Sequence, residues 1–482
     1  MPEPPKPFEA AADAQRQLLE ASVDLVEKAT LAPERAARAS EVEVGTTPSE
    51  TVYEENKLEL LRYEPVVSED ERKETPILVV YALVNKPYIL DLQPDRSVVR
   101  RLLEGGYDVY MIDWGEPSVL DQHLTLDDYI NRYIENCVEE VREDAGVEEV
   151  NVFGYCMGGT MSAAYTALNP ENVGSLVLMA SGLCFDGNGG LLELWGSGEY
   201  YDPQDLADAF GNAPGEALDL TYILMEPTSN TVSKYLGLYE NVEDEDFVEN
   251  FARMEKWLGD SVDVAGAAYT EFVEKVYQEN QLYENEMRVG GEGVDVEEID
   301  VPVLQIVGEY DHLVPPEASV PFNDVVGSDD TDVFEFPVGH VGLSVSSSSH
   351  EKLWPRVCEW LDEREKERKK EETESEGEPT ATTEEAVGEE AETETAEAEV
   401  KGEGKETAAE GEAETGTQEK ESGDGAAALK GVSGVGPTYA GRLRDAGIED
   451  AADLSEADPD NVAEAAEVSV ERARGWIESA ED

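Results

Sequence analysis

Short runs of consecutive apolar residues recur between residues 77 and 336. They are Ile77-Leu78-Val79-Val80-Tyr81-Ala82, Tyr107 to Ile112, Val150 to Phe153, Leu176 to Met179, Val303 to Val307 and Val333 to Phe336. Such runs are short for helices and rich in β-branched residues, so each predicts a buried strand. Between them lie stretches with helical spacing: Ser97 to Glu104, ended by Gly105-Gly106; Leu126 to Val141; and Thr160 to Leu168, stopped at Asn169-Pro170. Trp354 to Leu361 predicts a closing helix. Strand and helix alternating at this spacing imply an α/β protein with a mostly parallel, helix-covered sheet. Upstream, Leu18, Leu19, Val23, Leu25 and Val26 predict an amphipathic helix within 8–40, and Glu55 to Tyr63 reads as a strand before the core.

The rhythm breaks near Ser181. From there to about 290 the chain is largely helical in pattern and aromatic, with Trp195, Tyr200, Phe210, Tyr222, Trp257 and Tyr269 among its rings. That predicts a cap inserted between strands. Past 365 the composition turns to Glu, Ala, Thr and Gly, which predicts a disordered acidic linker. Regular apolar spacing returns from Leu429 to Ala480. The expected organisation is an N-terminal helical segment (1–45), a core in two parts (46–180 and 291–364) and a mostly helical cap (181–290). The linker (365–425) and a small all-α module (426–482) follow.

Charge adds a statement about environment. The chain of 482 residues carries 111 acidic and 35 basic side chains, a formal net charge of -76. The excess is not confined to the tail, because Glu and Asp also crowd the helices of the first 360 residues. A uniformly acidic surface suits near-saturated intracellular salt, where a Debye length of roughly 3 Å screens self-repulsion. The same surface argues against general nucleic-acid binding. Met1 to Pro7 has no apolar core and no stretch approaches a membrane span, so a cytoplasmic protein without a secretory signal is expected. Its four cysteines, Cys137, Cys156, Cys184 and Cys358, are widely spaced and expected to be mostly reduced.

One of them carries chemistry. Gly154-Tyr155-Cys156-Met157-Gly158-Gly159 lies between a predicted strand and a predicted helix. Strand, glycine-flanked turn and helix make a nucleophile elbow, normally written G-x-S-x-G, with Cys156 in the nucleophile position. The turn also sets the sulfur at a helix N-terminus, where the dipole favours a thiolate. Asp311 follows the Val303 strand and His340 follows the Val333 strand. Nucleophile, acid and His in that order, each after a strand, is the α/β-hydrolase arrangement. His340 then takes the thiol proton and Asp311 orients the imidazole. Met157 N–H and Val84 N–H are the expected oxyanion donors. His312, beside the acid, reads as structural or solvated. A sulfur nucleophile exchanging with a thioester keeps the acyl group activated, which favours acyl transfer over hydrolysis.

These residues, with Tyr81 to Leu92, Asp113-Trp114-Gly115, Leu124 to Tyr129, Gly308 to Pro316, Gly339-His340-Val341-Gly342 and Trp354-Pro355, resemble the catalytic subunit of polyhydroxyalkanoate synthase. The likeness is to the class III, two-subunit type, haloarchaeal-like in its acidity, and runs from about residue 40 to 362. It implies polymerisation of (R)-3-hydroxyacyl-CoA into polyester with release of CoA. Cys156 would carry the growing chain, and His340 or Asp311 would activate the 3-hydroxyl. It also implies a non-catalytic second subunit, a homodimer of the catalytic subunit and residence on polymer granules in the cytoplasm. No cofactor or metal is expected. A typical class III chain ends near 365. Beyond it, Gly431 to Pro437, Ala440, Leu443 and Ala446-Gly447-Ile448 look like a helix-hairpin-helix module, for which protein or granule contacts are favoured over nucleic acid. The competing readings are a cysteine-dependent α/β-hydrolase (a thioesterase or polyester depolymerase) and a granule-bound scaffold.

The charge pattern makes one prediction of its own. Circular dichroism across a salt series should show the fold complete at molar salt and lost at low salt; a fold fully retained in low salt would remove the halophilic assignment.

Overall fold

The computed structural model describes residues 42–187, 190–225 and 234–376, and part of 442–480. Eight strands form one sheet: β1 (Ser49–Glu55), β2 (Leu58–Tyr63), β3 (Ile77–Val80), β4 (Val109–Asp113), β5 (Val150–Tyr155), β6 (Val173–Met179), β7 (Val303–Gly308) and β8 (Thr331–Phe336). Their spatial order is β1-β2-β4-β3-β5-β6-β7-β8. β1, β2 and β4 pair antiparallel, and every pair from β4 through β3 to β8 is parallel. β3, β5, β6 and β7 are buried at every position, as expected of parallel strands covered on both faces. This is the α/β-hydrolase architecture that the sequence pattern predicts.

Several boundaries move, each for a local reason. The strand expected at Glu55 to Tyr63 is the second arm of a hairpin, turned at Asn56 with φ 55°. The helix expected over Leu126 to Val141 opens as a π-helical stretch, Asp128–Ile134, and becomes α-helical only at Glu135–Ala145. Just past Ser181 the Leu183 and Cys184 amides both donate to the Ala318 carbonyl oxygen, and Phe185 packs on Tyr277. The cap itself is helical: Gly190–Gly196, Pro203–Phe210, Gly215–Met225, Lys234–Glu240, Glu245–Gly259 and Gly266–Phe272.

The closing helix begins at Trp354 and runs to Glu376, across the boundary at 364 and into the segment read as linker. Its continuation is held by ions rather than apolar contacts. Lys369 pairs with Glu365 at 2.8 Å, Lys366 pairs with Asp362, and Arg368 reaches Glu149 at 2.9 Å. The N-terminal helix, the rest of the linker and the glycines of the tail motif lie outside the described residues. In the tail, Leu443, Leu454, Val462 and Trp476 share one small cluster, and Arg442 donates to the Val333 carbonyl oxygen on edge strand β8 at 3.0 Å.

The centre of the sheet ends in the elbow. Cys156 has φ 53° and ψ -122°, and the helix that follows starts at Met157, three residues before the position its apolar pattern suggests. Thr160 to Leu168 carries the periodicity, but Cys156 caps the helix, since its carbonyl oxygen accepts from Gly159 N at 2.9 Å and Thr160 N at 3.4 Å. The turn fits only because Gly158 has no side chain. A Cβ there would lie 2.1 Å from the Val80 carbonyl oxygen and 2.7 Å from that of Tyr81. Both are backbone atoms, so a methyl group forces β3 and the elbow apart. Gly158→Ala should lose about 3 kcal/mol of unfolding free energy in denaturant titration at constant high salt, and a variant as stable as the parent would contradict this close approach.

Candidate active site

Asp311 and His340 are 29 positions apart and meet because their strands are neighbours. β7 and β8 run parallel with Gly308 opposite Phe336. The two turns that leave them are bonded to each other, Glu309 N to the Phe336 carbonyl oxygen at 2.9 Å and Tyr310 N to that of Val338 at 3.1 Å. Asp311 Oδ2 and His340 Nδ1 are 2.7 Å apart. Asp311 Oδ1 accepts from the amides of Leu313 at 3.0 Å and Val314 at 2.9 Å. The carboxylate is therefore held at both oxygens, with its side chain wholly shielded from solvent. This fixes the imidazole ring and leaves Nε2 to face the elbow.

Cys156 completes the group. Its sulfur is within hydrogen-bonding reach of His340. Burial alone would strip the proton from His340, yet the carboxylate of Asp311 and the sulfur of Cys156 outweigh it. The imidazole is held protonated well above its ordinary value of 6.5. The other cysteines are quiet by contrast. Burial pushes the thiols of Cys184 and Cys358 up to about 12, and that of Cys137 higher still. All four are free thiols. His123 and His312 are exposed, and His350 is buried against the Ser344 carbonyl oxygen at 2.8 Å, its protonation pushed down to about 4 by burial.

The expected oxyanion donors lie on the elbow and on the loop after β3. Met157 is the first residue of its helix, so its N–H has no partner within that helix. Val84 lies in the loop that leaves β3, whose Val80 and Tyr81 carbonyls crowd Gly158. The structure thus brings β3, the elbow and the Asp311 and His340 turns to one edge of the sheet.

Four tyrosines around Cys156 escaped the reading of the sequence as site residues. Tyr155 lies between Tyr81, 5.6 Å away by ring centroid, and His340, 5.5 Å away. Tyr222 and Tyr277 come from the cap region and stand close enough to feel the charge on Cys156. Burial first, and neighbouring charges after it, keep all four phenols protonated far above their usual value. They give the sulfur neutral, mostly apolar neighbours. Tyr155 was in view within the elbow hexapeptide, but nothing in the sequence relates Tyr222 or Tyr277 to Cys156. A cavity of about 350 Å³ opens beside Asp311, lined by Gly190, Leu191, Met225, His312 and Pro315. Among the described residues no group of three or more His, Cys, Asp or Glu side chains is arranged to hold a metal ion.

Comparison with known proteins agrees with this geometry. A family model described as alpha/beta hydrolase fold matches residues 75–345, and one for the poly-beta-hydroxybutyrate polymerase (PhaC) N-terminus matches 19–102. A model described as a SAM-like helix-hairpin-helix tandem matches 426–482. The poly(3-hydroxyalkanoate) polymerase subunit PhaC of Haloarcula marismortui is 54% identical over 98% of this chain and 99% of its own. That of Haloferax mediterranei is 54% identical over 99% of both. The protein of the same name from Allochromatium vinosum is 41% identical over 72% of this chain and 98% of its own. The chain belongs to the PhaC family of poly(3-hydroxyalkanoate) polymerase subunits, built on an α/β-hydrolase fold.

Proposed function

We propose that this chain polymerises (R)-3-hydroxyacyl-CoA thioesters into polyester through a covalent intermediate on Cys156. The observation that carries the reading is a sulfur nucleophile on a strained elbow within reach of an imidazole that a buried carboxylate orients. In the first half-reaction His340 already holds the proton, and the sulfur of Cys156 attacks the thioester carbonyl. Negative charge gathers on the carbonyl oxygen, where Met157 N–H and Val84 N–H receive it. Collapse breaks the bond to CoA, whose sulfur leaves with the proton from His340. The acyl group remains a thioester, close in energy to the one it came from.

In the second half-reaction the 3-hydroxyl of a further monomer unit attacks the acyl thioester on Cys156, the carbon–sulfur bond breaks, the Cys156 sulfur leaves and an ester bond forms. His340 takes the hydroxyl proton, because Asp311 lies behind the ring with its side chain shielded from solvent. Asp311 stays ionised and steadies the imidazolium. No metal or cofactor enters either step. The neutral tyrosines near the sulfur suit an acyl chain and disfavour water, the competing nucleophile, at the thioester.

The partners follow the same reading. The relatives are named as subunits, and we assign a non-catalytic second subunit, a second copy of this chain and the polymer granule as what this one meets. Trp195, Tyr200, Phe210, Leu220, Ile223 and Leu224, exposed on the cap, are the surface that favours such contacts. Among the described residues no helix is long and apolar enough to cross a membrane. Residence on granules in the cytoplasm then rests on surface contact. The helix-hairpin-helix region is assigned to protein or granule contacts.

The full-length chain, alone and with its second subunit, should release CoA from (R)-3-hydroxybutyryl-CoA in high salt and leave insoluble polyester. CoA release that yields only free acid would make it a hydrolase. Cys156→Ala should abolish both acyl-enzyme labelling and polymer, and labelling that persists would move the nucleophile elsewhere.

The raised imidazole gives a pH test. Because His340 binds its proton more tightly folded than unfolded, its contribution to stability is complete below about 6.5 and lost as the pH rises through the folded value. Asp311→Asn removes the carboxylate and leaves burial, so His340 should titrate lower and alkylation of Cys156 by iodoacetamide near neutral pH should slow. NMR titration of the histidine ring carbons, with alkylation rates, checks both; a His340 titration unmoved in Asp311→Asn would reject the assigned pair.

A further inference from the structure

The loop that carries Val84 hangs between two indoles. On the core side Trp114, from the Asp113-Trp114-Gly115 turn after β4, donates its Nε1–H to the Tyr81 carbonyl oxygen at 2.8 Å. On the cap side Trp257, in the last turn of the helix Glu245–Gly259, donates its Nε1–H to the Lys86 carbonyl oxygen at 2.9 Å. Trp257 is 7% exposed, and the same indole lies within hydrogen-bonding reach of the Tyr81 hydroxyl. A further cap residue, Asp260, ends that helix and accepts from the Tyr88 hydroxyl at 2.7 Å. Lys256 holds the same carboxylate oxygen at 2.8 Å.

Between these anchors the backbone is unfavourable. Asn85, next to Val84, has φ 59°, the left-handed conformation that asparagine tolerates better than most residues with a side chain. Such a turn persists only when its surroundings over-determine it. Of the side-chain bonds named above, the two on the far side of Asn85 come from the cap. The Val84 amide, which must point at the developing oxyanion, is therefore aimed partly by the cap.

We propose that Trp257, supported by Asp260, is a positioning residue for acyl transfer. It acts through Lys86 on the Val84 N–H, so the oxyanion site is complete only while the helix Glu245–Gly259 is seated on this loop. The inference rests on the assignment of Val84 as an oxyanion donor in the proposed polymerase. It gives the cap a second task besides covering the sulfur: a bound chain or partner that lifts this helix would slow chemistry at Cys156 without touching Cys156, Asp311 or His340.

Two reactions of one sulfur separate this role from a merely structural one. Acylation by (R)-3-hydroxybutyryl-CoA forms the bond from Cys156 sulfur to the acyl carbon, breaks that to CoA, and needs the oxyanion donors. Alkylation by iodoacetamide needs only the thiolate. In full-length Trp257→Phe, which keeps a ring but loses the N–H, the first-turnover burst of CoA should slow by about 100-fold. Alkylation, KM and the circular dichroism spectrum should hold. Acylation at the parent rate would overturn the proposal. Should Trp257→Phe also slow alkylation, Tyr88→Phe decides, since it removes one hydroxyl and keeps the ring. Slower acylation with unchanged alkylation then supports the role, and parent-like acylation sinks it. Failure of the underlying polymerase reading looks different, because the parent chain itself would then form no acyl-enzyme on Cys156.

Discussion

The site depends on one backbone conformation. At φ 53° and ψ -122°, Cys156 sits where a residue with a side chain costs about 1–3 kcal/mol, and its surroundings must hold it there. They do so on three sides. Cys156 N donates to the Met179 carbonyl oxygen at 3.0 Å, tying the elbow to the end of β6. The Cys156 carbonyl starts the following helix, and Gly158 lets the turn press against the carbonyls that end β3. The strain lifts the sulfur out of the strand line, and the contacts that maintain it bring β3 and its loop beside the sulfur.

Electrostatics then divide the molecule into two regimes. Outside, the net charge of -76 needs salt to screen it. At the site, a short line runs from Asp311 to His340 to Cys156, with neutral phenols near it. An unpaired carboxylate as deeply buried as Asp311 would cost several kcal/mol, and its two amide bonds and the imidazolium offset that cost. The same pairing raises His340, so carboxylate and imidazolium hold each other in their charged forms.

The cap is less separate from the chemistry than an inserted lid suggests. It brings Tyr222 near the sulfur, and Trp257 and Asp260 bond the loop that leaves β3. Its apolar side chains divide between that inward role and an exposed set that includes Trp195, Phe210 and Ile223. A polymerase must keep water from its thioester while a growing chain passes, and a cap tied to the oxyanion loop couples those two demands.

Much of this was legible in the chain itself. Parallel strands buried on both faces read as continuous apolar runs, so the sheet and its helices stood out. Glycines at close approaches, an acid and a histidine after strands, and cysteine in place of serine reported the nucleophile group, because each obeys a local rule of turn or strand end. Boundaries set by long-range contacts did not. The helix beyond 364 is tied to Glu149 through Arg368 and to Glu74 through Lys369, and the Leu183 amide bonds the Ala318 carbonyl oxygen just past the break in the pattern. Composition and spacing alone determined the fold class, the elbow and the order of Cys156, Asp311 and His340. Only the tertiary structure decided that the two turns after β7 and β8 bond to each other, that four tyrosines gather near the sulfur, and that an indole from the cap holds the loop of Val84. Those contacts join residues distant in sequence, and side-chain periodicity carries no information about which distant surfaces will meet.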